Sequence, residues 1–322
     1  MAQLFAYIVH RNGVLDDSAA ELAVAASKIE AGAPVTAIVT GSGADLEAAC
    51  QAAANIYAAV WKFDSAELAY PNAEKVRKLL VSSLPADGIV LLAHDTFGMD
   101  LGPGLSIKLD SAYAADVMAI ESVDGGAAIL VRQEYAGMAH AHVSCDLSNG
   151  AVLTLRPGSF QAEEVGGAAG QVEDKSGEAG DLSVKRNFME VVEAEVGDVD
   201  ITKEDVLVSI GRGIEDEENI ELAQELAEAM GAVVSCSRPI VDAKWLEKSR
   251  QVGTSGQTVK PKVYMALGIS GSFQHLGGIK GSPFIVAVNK NPKAPIFQVA
   301  DVGIVEDIMD MMPELTEKIQ EG

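Results

Sequence analysis

The chain has 322 residues, 48% of them hydrophobic and only 5% aromatic, with 24 basic against 47 acidic side chains and a formal net charge of -23. Its length suits one large domain or two ordinary ones, and its charge repels nucleic acid and anionic lipid, which argues against both as partners. No apolar run approaches the roughly eighteen residues of a membrane span, and Cys50, Cys145 and Cys236 are too scattered for a disulfide framework or a zinc motif, as in a cytoplasmic protein.

The N-terminal "LFAYIVH" lacks the basic flank of a leader and reads as the first strand. A helix is expected from about Ser18 to Ala31, then the strand "PVTAIVTG", a helix from about Ala44 to Ala54 and the strand "IYAAVWKF". A helix over Asn72–Ser83 and the strand "GIVLLAH" follow. Alternation at this spacing predicts βαβ units and a parallel sheet. From Val117 to Leu155 the helical pattern stops, and "AAILVRQEY", "HAHVSCD" and "AVLTLRP" are expected to be neighbouring antiparallel strands, with "DLSNG" as a hairpin turn. The Gly- and acid-rich segment 162–184 has little to bury and reads as a solvated linker, followed by a strand-like "FMEVVEAEV".

A second α/β run then begins. "DVLVSIGRG", a helix from about Glu217 to Met230, "AVVSCSR", "VYMALGIS", "PFIVAVN" and "IFQVAD" alternate before a closing helix from about Ile304, in which Pro313 starts a fresh turn. The predicted fold class is therefore α/β with two domains. Residues 1–202 form a mostly parallel sheet with an antiparallel extension, and residues 203–322 a doubly wound parallel sheet.

Ligands of doubly wound sheets sit at the carboxyl ends of the strands. In the second domain those ends carry "SIGRGIEDEEN", "SRPIVD", "GISGSFQH", "VNKNPKAP" and "VADVG". The first of these is expected to cradle an anion. A GxGxxG fingerprint is absent, which disfavours a plain NAD site. The connection from Asp242 to Pro261 contains "QVGTSG", read as a dense run of backbone N–H groups and hydroxyls, and a loop of that length in a compact domain is usually functional.

"SRPIVD", "RQVGTSGQTVKPKVYMALGISGSFQHLGGIKGS", "IVAVNKNPKAPIFQVADVGIVED" and "MMPELTEKI" closely resemble the FAD-binding domain of electron transfer flavoprotein alpha subunits. "VRQEYAG" and "LRPGSF" resemble the first domain of that family more loosely. The resemblance implies an FAD-carrying alpha subunit, heterodimeric with a beta subunit, acting as an electron carrier and not as a stand-alone enzyme. Implied partners are acyl-CoA dehydrogenase or a similar flavoprotein, as in fatty acid beta-oxidation, and a membrane-associated quinone reductase. It also admits flavin-based electron bifurcation with NADH and ferredoxin.

Carried over by position, the resemblance places Arg238 over the flavin ring and Ser255 near its N5, where relatives carry Gln-Thr for Thr254-Ser255. Ser270, Gln274 and His275 match contacts to the ribityl chain, the diphosphate and the pyrimidine edge. Asn289 and Asp307 lie toward the ribityl-to-adenosine half, and Gly268 and Gly271 let the backbone approach the cofactor. The second domain is also similar in architecture to the cofactor domains of sirtuins and thiamine-dependent enzymes, which leaves a non-redox nucleotide-binding module as the alternative.

Overall fold

A computed structural model describes residues 3–135, 139–160, 169–191, 199–281 and 283–321. The chain divides into two compact units, Met1–Glu190 and Val191–Gly322. This division falls ahead of residue 203, and Ile201 already packs in the second unit's core. No helix among the described residues is long and apolar enough to cross a membrane.

The first unit runs β1 (Leu4–Ile8), β2 (His10–Arg11), β3 (Val14–Leu15), α1 (Ser18–Ile29), β4 (Val35–Gly41), α2 (Gly43–Ala54), β5 (Ala59–Asp64) and α3 (Ala73–Ser83). It continues with β6 (Ile89–Ala93), α4 (Thr96–Leu109), β7 (Ala112–Asp124), β8 (Ala127–Glu134), β9 (Ala139–Asp146), β10 (Ala151–Leu155) and β11 (Gln171–Asp174). Nine strands form one sheet in the order β11-β5-β4-β1-β6-β10-β7-β8-β9, parallel from β11 to β7 and antiparallel at β8 and β9. β1, β6 and β10 are buried along their whole length, with both sheet faces covered, which is why they read as apolar runs, that of β10 interrupted by Thr154 alone. α1 turns Leu22, Ala25, Ala26 and Ile29 inward at helical spacing. The Asn72 side chain caps α3 by accepting from the N–H groups of Glu74 and Lys75.

Three expectations for this unit need correction. β10 does not pair with β9; it lies between β6 and β7 and is parallel to both, so "DLSNG" is no hairpin turn. The hairpin turn is instead Gly125-Gly126, both at positive φ, between β7 and β8. Within the segment read as linker, residues 171–174 form β11 at the sheet edge and Leu182 is buried, while 161–168 lie outside the described residues. Thr96–Leu109, for which no element was expected, forms α4 even though Gly98, Gly102, Gly104 and Pro103 lower helix propensity. Packing overrides it: a Cβ at Gly98 would stand 1.9 Å from the Ala93 carbonyl oxygen, and Gly102 lies against Tyr113 and Thr154. Of the strand-like "FMEVVEAEV", residues 188–191 are not strand and 192–196 lie outside the described residues.

The second unit runs β12 (Val206–Ile210), α5 (Ile220–Ala229), β13 (Val233–Cys236), α6 (Arg238–Asp242), β14 (Val263–Leu267), α7 (Phe273–Leu276), β15 (Phe284–Val288), β16 (Val302–Ile304) and α8 (Ile308–Glu321). Its five strands are all parallel, in the order β13-β12-β14-β15-β16. Numbered within the unit this is 2-1-3-4-5, with the reversal between β12 and β14. One face carries helices, with Ile220, Ala223 and Leu226 of α5 and Ile308 and Met312 of α8 against Val208, Ile210, Met265 and Leu267. The other face, with Leu207, Tyr264, Ala266 and Ala287, is covered by Val252, Val259, Ile269 and Ile296 from loops and short turns. "IFQVAD" is a 3-10 turn over Pro295–Gln298 ahead of β16, not a strand. α8 starts four residues after Ile304 and holds Pro313 in its interior, so Ile304 and Val305 are exposed and not part of its apolar stripe.

Candidate functional site

The connections leaving β12, β13, β14 and β15 at their carboxyl ends meet around one cavity of about 820 Å³, large enough for a dinucleotide-sized cofactor. The reversal of strand order opens it there, because successive connections leave on opposite sides of the sheet. Arg238, Thr254, Ser255, Gly268, Ser270, Gln274, His275 and Asn289 all line it. Gly271 and Asp307 stand behind the lining. Gly271, at φ +83°, lets the loop pass Ile296, whose backbone nitrogen would lie 2.3 Å from any Cβ. The Asp307 carboxylate holds Lys290, a lining residue, at 2.8 Å.

Arg212, Ser237, Gln251, Ser272 and Lys290 also line the cavity and were not singled out from the sequence. The signal was available for Arg212 and Lys290, each separated by one residue from the end of a largely buried strand. Among the described residues the Arg212 guanidinium has no hydrogen-bond or ion-pair partner, which leaves an uncompensated positive charge in a strongly acidic chain. Arg238 pairs with Asp242 at 3.4 Å within its own short helix. Lys290 is held between Asp307 and Glu215, and its pKa is raised chiefly by the hydrogen bond to Asp307.

The backbone cradles expected from the sequence are largely spent on the protein itself. The N–H groups of Gly211 and Gly213 donate to the Leu267 and Gly268 carbonyls, so "GRG" locks two loops together and does not present those amides to an anion. Gly213 and Gly268 touch so closely that a Cβ on either would lie 2.6 Å from the other's Cα. In "QVGTSG", the N–H groups of Val252, Gly253, Thr254 and Gly256 bond to Cys236, Gln257, Gln274 and Gly253 carbonyls. The hydroxyls of Thr254 and Ser255 are what this loop brings to the cavity wall.

His275 is the most buried titratable group of the lining, 5% exposed. Its Nε2 is 2.8 Å from the Tyr264 hydroxyl, which donates to Ser209 Oγ at 2.7 Å. Burial pushes the imidazole pKa down to about 4, with the Val252 backbone as a weak opposing influence. Nδ1 is buried without a partner of hydrogen-bond geometry. A neutral ring with one nitrogen anchored in the core and the other unsatisfied is suited to a polar ligand atom.

The cavity thus combines an unpaired guanidinium, clustered hydroxyls, an orphaned imidazole nitrogen and glycine backbones with no room for a Cβ. These features fit a flat, polar-edged ring with a phosphate-bearing tail. A family model described as electron transfer flavoprotein domain matches residues 5–179. Another, the electron transfer flavoprotein FAD-binding domain, matches residues 200–280. The chain is 41% identical over 229 residues to the electron transfer flavoprotein subunit alpha of Methylophilus methylotrophus, covering 70% of each chain. To Protein FixB of Clostridium saccharobutylicum it is 36% identical over 73% of this chain and 70% of that one. Over 98% of this chain and 76% of the relative, it is 31% identical to the LctC subunit of lactate dehydrogenase (NAD(+),ferredoxin) from Acetobacterium woodii.

Proposed function

The chain belongs to the electron transfer flavoprotein alpha family, with FAD as its cofactor, and from that premise we propose that it shuttles electrons on an FAD seated in this cavity. The family implies a heterodimer with a beta subunit. The proposed donors are flavoprotein dehydrogenases such as acyl-CoA dehydrogenases, with a downstream acceptor such as a quinone reductase, in the cytoplasm. The observation that carries this reading is the convergence of Arg238, Ser255, Gln274, His275 and Asn289, from three separate strand-end connections, on one cavity.

When bound, the flavin supplies the redox chemistry, and the protein supplies orientation and electrostatics. Arg212 and Arg238 bring positive charge to an anionic cofactor. Gly268 and Gly213 let two loops of the cavity wall pack directly on each other. His275, held by Tyr264, offers Nδ1 to a polar edge of the ring, and Ser255 offers its hydroxyl.

The test is the visible spectrum of the chain co-purified with its beta subunit. The expected result is a yellow complex with flavin absorption bands that bleach on reduction. A colourless complex supports the non-redox nucleotide-binding alternative. A second reading, electron bifurcation, is favoured by the similarity to the lactate dehydrogenase (NAD(+),ferredoxin) subunit. It requires two FAD per heterodimer, where simple electron transfer requires one FAD plus AMP, so cofactor stoichiometry separates them.

A further inference from the structure

Gln251 is 4% exposed, yet it is a polar side chain next to a cavity. Its position is tightly fixed. Its carbonyl accepts from Gln257 N at 2.6 Å, its N–H donates to the Lys248 carbonyl at 3.1 Å, and Gly256 packs so closely that a Cβ there would lie 2.9 Å from the Gln251 Cγ. From this position its amide Nε2 donates to Ser255 Oγ at 2.9 Å.

The polarity of that bond has a consequence. A carboxamide nitrogen carries no lone pair for accepting, whereas a serine hydroxyl has one proton and two acceptor sites. With Gln251 as donor, Ser255 is the acceptor, and its own proton must point to something other than Gln251. Ser255 stands on the cavity wall, and the neighbouring backbone carbonyls of Gln251 and Gly253 each already accept one hydrogen bond, from Gln257 and Gly256. We propose that Gln251 is a positioning residue that fixes Ser255 as a hydrogen-bond donor into the cavity. The proposal rests on the FAD reading above, under which the recipient is an unprotonated nitrogen on the edge of the oxidised flavin ring.

The experiment is a pair of double-mutant cycles on the co-purified heterodimer, read as the midpoint potential of the bound flavin. In the first, Gln251→Glu keeps the side-chain length but makes it an acceptor, which turns the Ser255 proton away from the cavity. The expected shift is tenfold or more in the one-electron equilibrium, about 59 mV toward harder reduction. In a Ser255→Ala background the same substitution should shift the potential clearly less, because only the added charge remains. The second cycle uses Gln251→Met, which changes no charge and stays decisive where the introduced glutamate takes up a proton. It too should couple to Ser255→Ala with the same sign. Additive shifts in both cycles, with flavin content normal, overturn the role of Gln251 and leave the FAD reading intact. A colourless wild-type complex overturns the FAD reading and this role together.

Discussion

His275 is neutral around pH 7 because burial has lowered its pKa to about 4 from 6.5, and this has a thermodynamic signature. Between those values the unfolded chain binds a proton that the folded chain does not, so stability falls as the pH is lowered from about 6.5 toward 4. At about 1.4 kcal/mol per unit, the contribution is on the order of 3 kcal/mol. Denaturant melts of the flavin-free chain should show this slope, and His275→Gln should flatten it; an identical slope in the variant would show that other groups cause it. Arg238 makes a different prediction. Its side chain is 68% exposed, so a charge-assisted bond from it belongs at the lower end of roughly 1.5–3 kcal/mol. Arg238→Ala should therefore make the bound flavin harder to reduce by about 60 mV, at about 59 mV per tenfold change. Arg238→Lys should recover part of this, keeping charge but losing the planar fork. An unchanged potential with normal FAD content would remove Arg238 from the site. At this scale the sequence showed which residue types gather, since buried strands announce themselves and the polar groups just after them fall at one sheet edge. What it could not show was the Tyr264–His275 or Gln251–Ser255 pairing. The first joins a strand to the short helix after it and the second spans four residues within one loop, and no periodicity records either.

Among the elements, glycines separate into those that answer a local backbone need and those that keep two segments apart. Gly231 ends α5 at φ +61° with open space around its Cα. Gly231→Ala should cost only the left-handed strain, about 1–2 kcal/mol. Gly271 has φ +83° and the Ile296 backbone in the way. Gly271→Ala must add a backbone displacement to that strain, so it should cost more than Gly231→Ala by at least about 1 kcal/mol and empty the cavity of flavin. Equal thermal shifts and equal flavin content in the two variants would contradict this assignment. The same distinction explains where the chain-order reading failed. α4 was invisible because its glycines look like helix breakers until Ala93, Tyr113 and Thr154 are seen against them. β10 was misplaced because a mostly apolar "AVLTL" next to two alternating strands looks like their neighbour. Full burial on both faces, visible in the run itself, was the sign of a central parallel strand.

For the molecule as a whole, each unit has cores built from its own residues: those of the first lie between Leu4 and Leu182 and those of the second between Ile201 and Met312. Residues 191–322 should therefore unfold in a single cooperative transition when expressed alone. Flavin retention should behave differently. The cavity wall is made of connections, several with exposed polar side chains, and a partner subunit that orders them would raise affinity by removing that cost. Co-expressed heterodimer should keep near-stoichiometric FAD through gel filtration while the isolated alpha chain loses most of it. A monomeric alpha chain retaining stoichiometric FAD would refute the dependence on the partner.

The second sheet is covered unequally, by helices on one face and by loops and single turns on the other. Regions held by few regular backbone bonds open at lower free energy than the strands beneath them. The amides of Val252, Gly253 and Thr254 should therefore exchange with deuterium through local opening, while those of β12 and β14 exchange only on global unfolding. This gives the protein an order of manufacture. The sheet and its helical face can mature first, and the flavin can be loaded afterwards through the loop-covered side without dismantling the core. In a pulse-labelling series, adding FAD and the partner late should slow exchange at 251–257 and leave the strands unchanged.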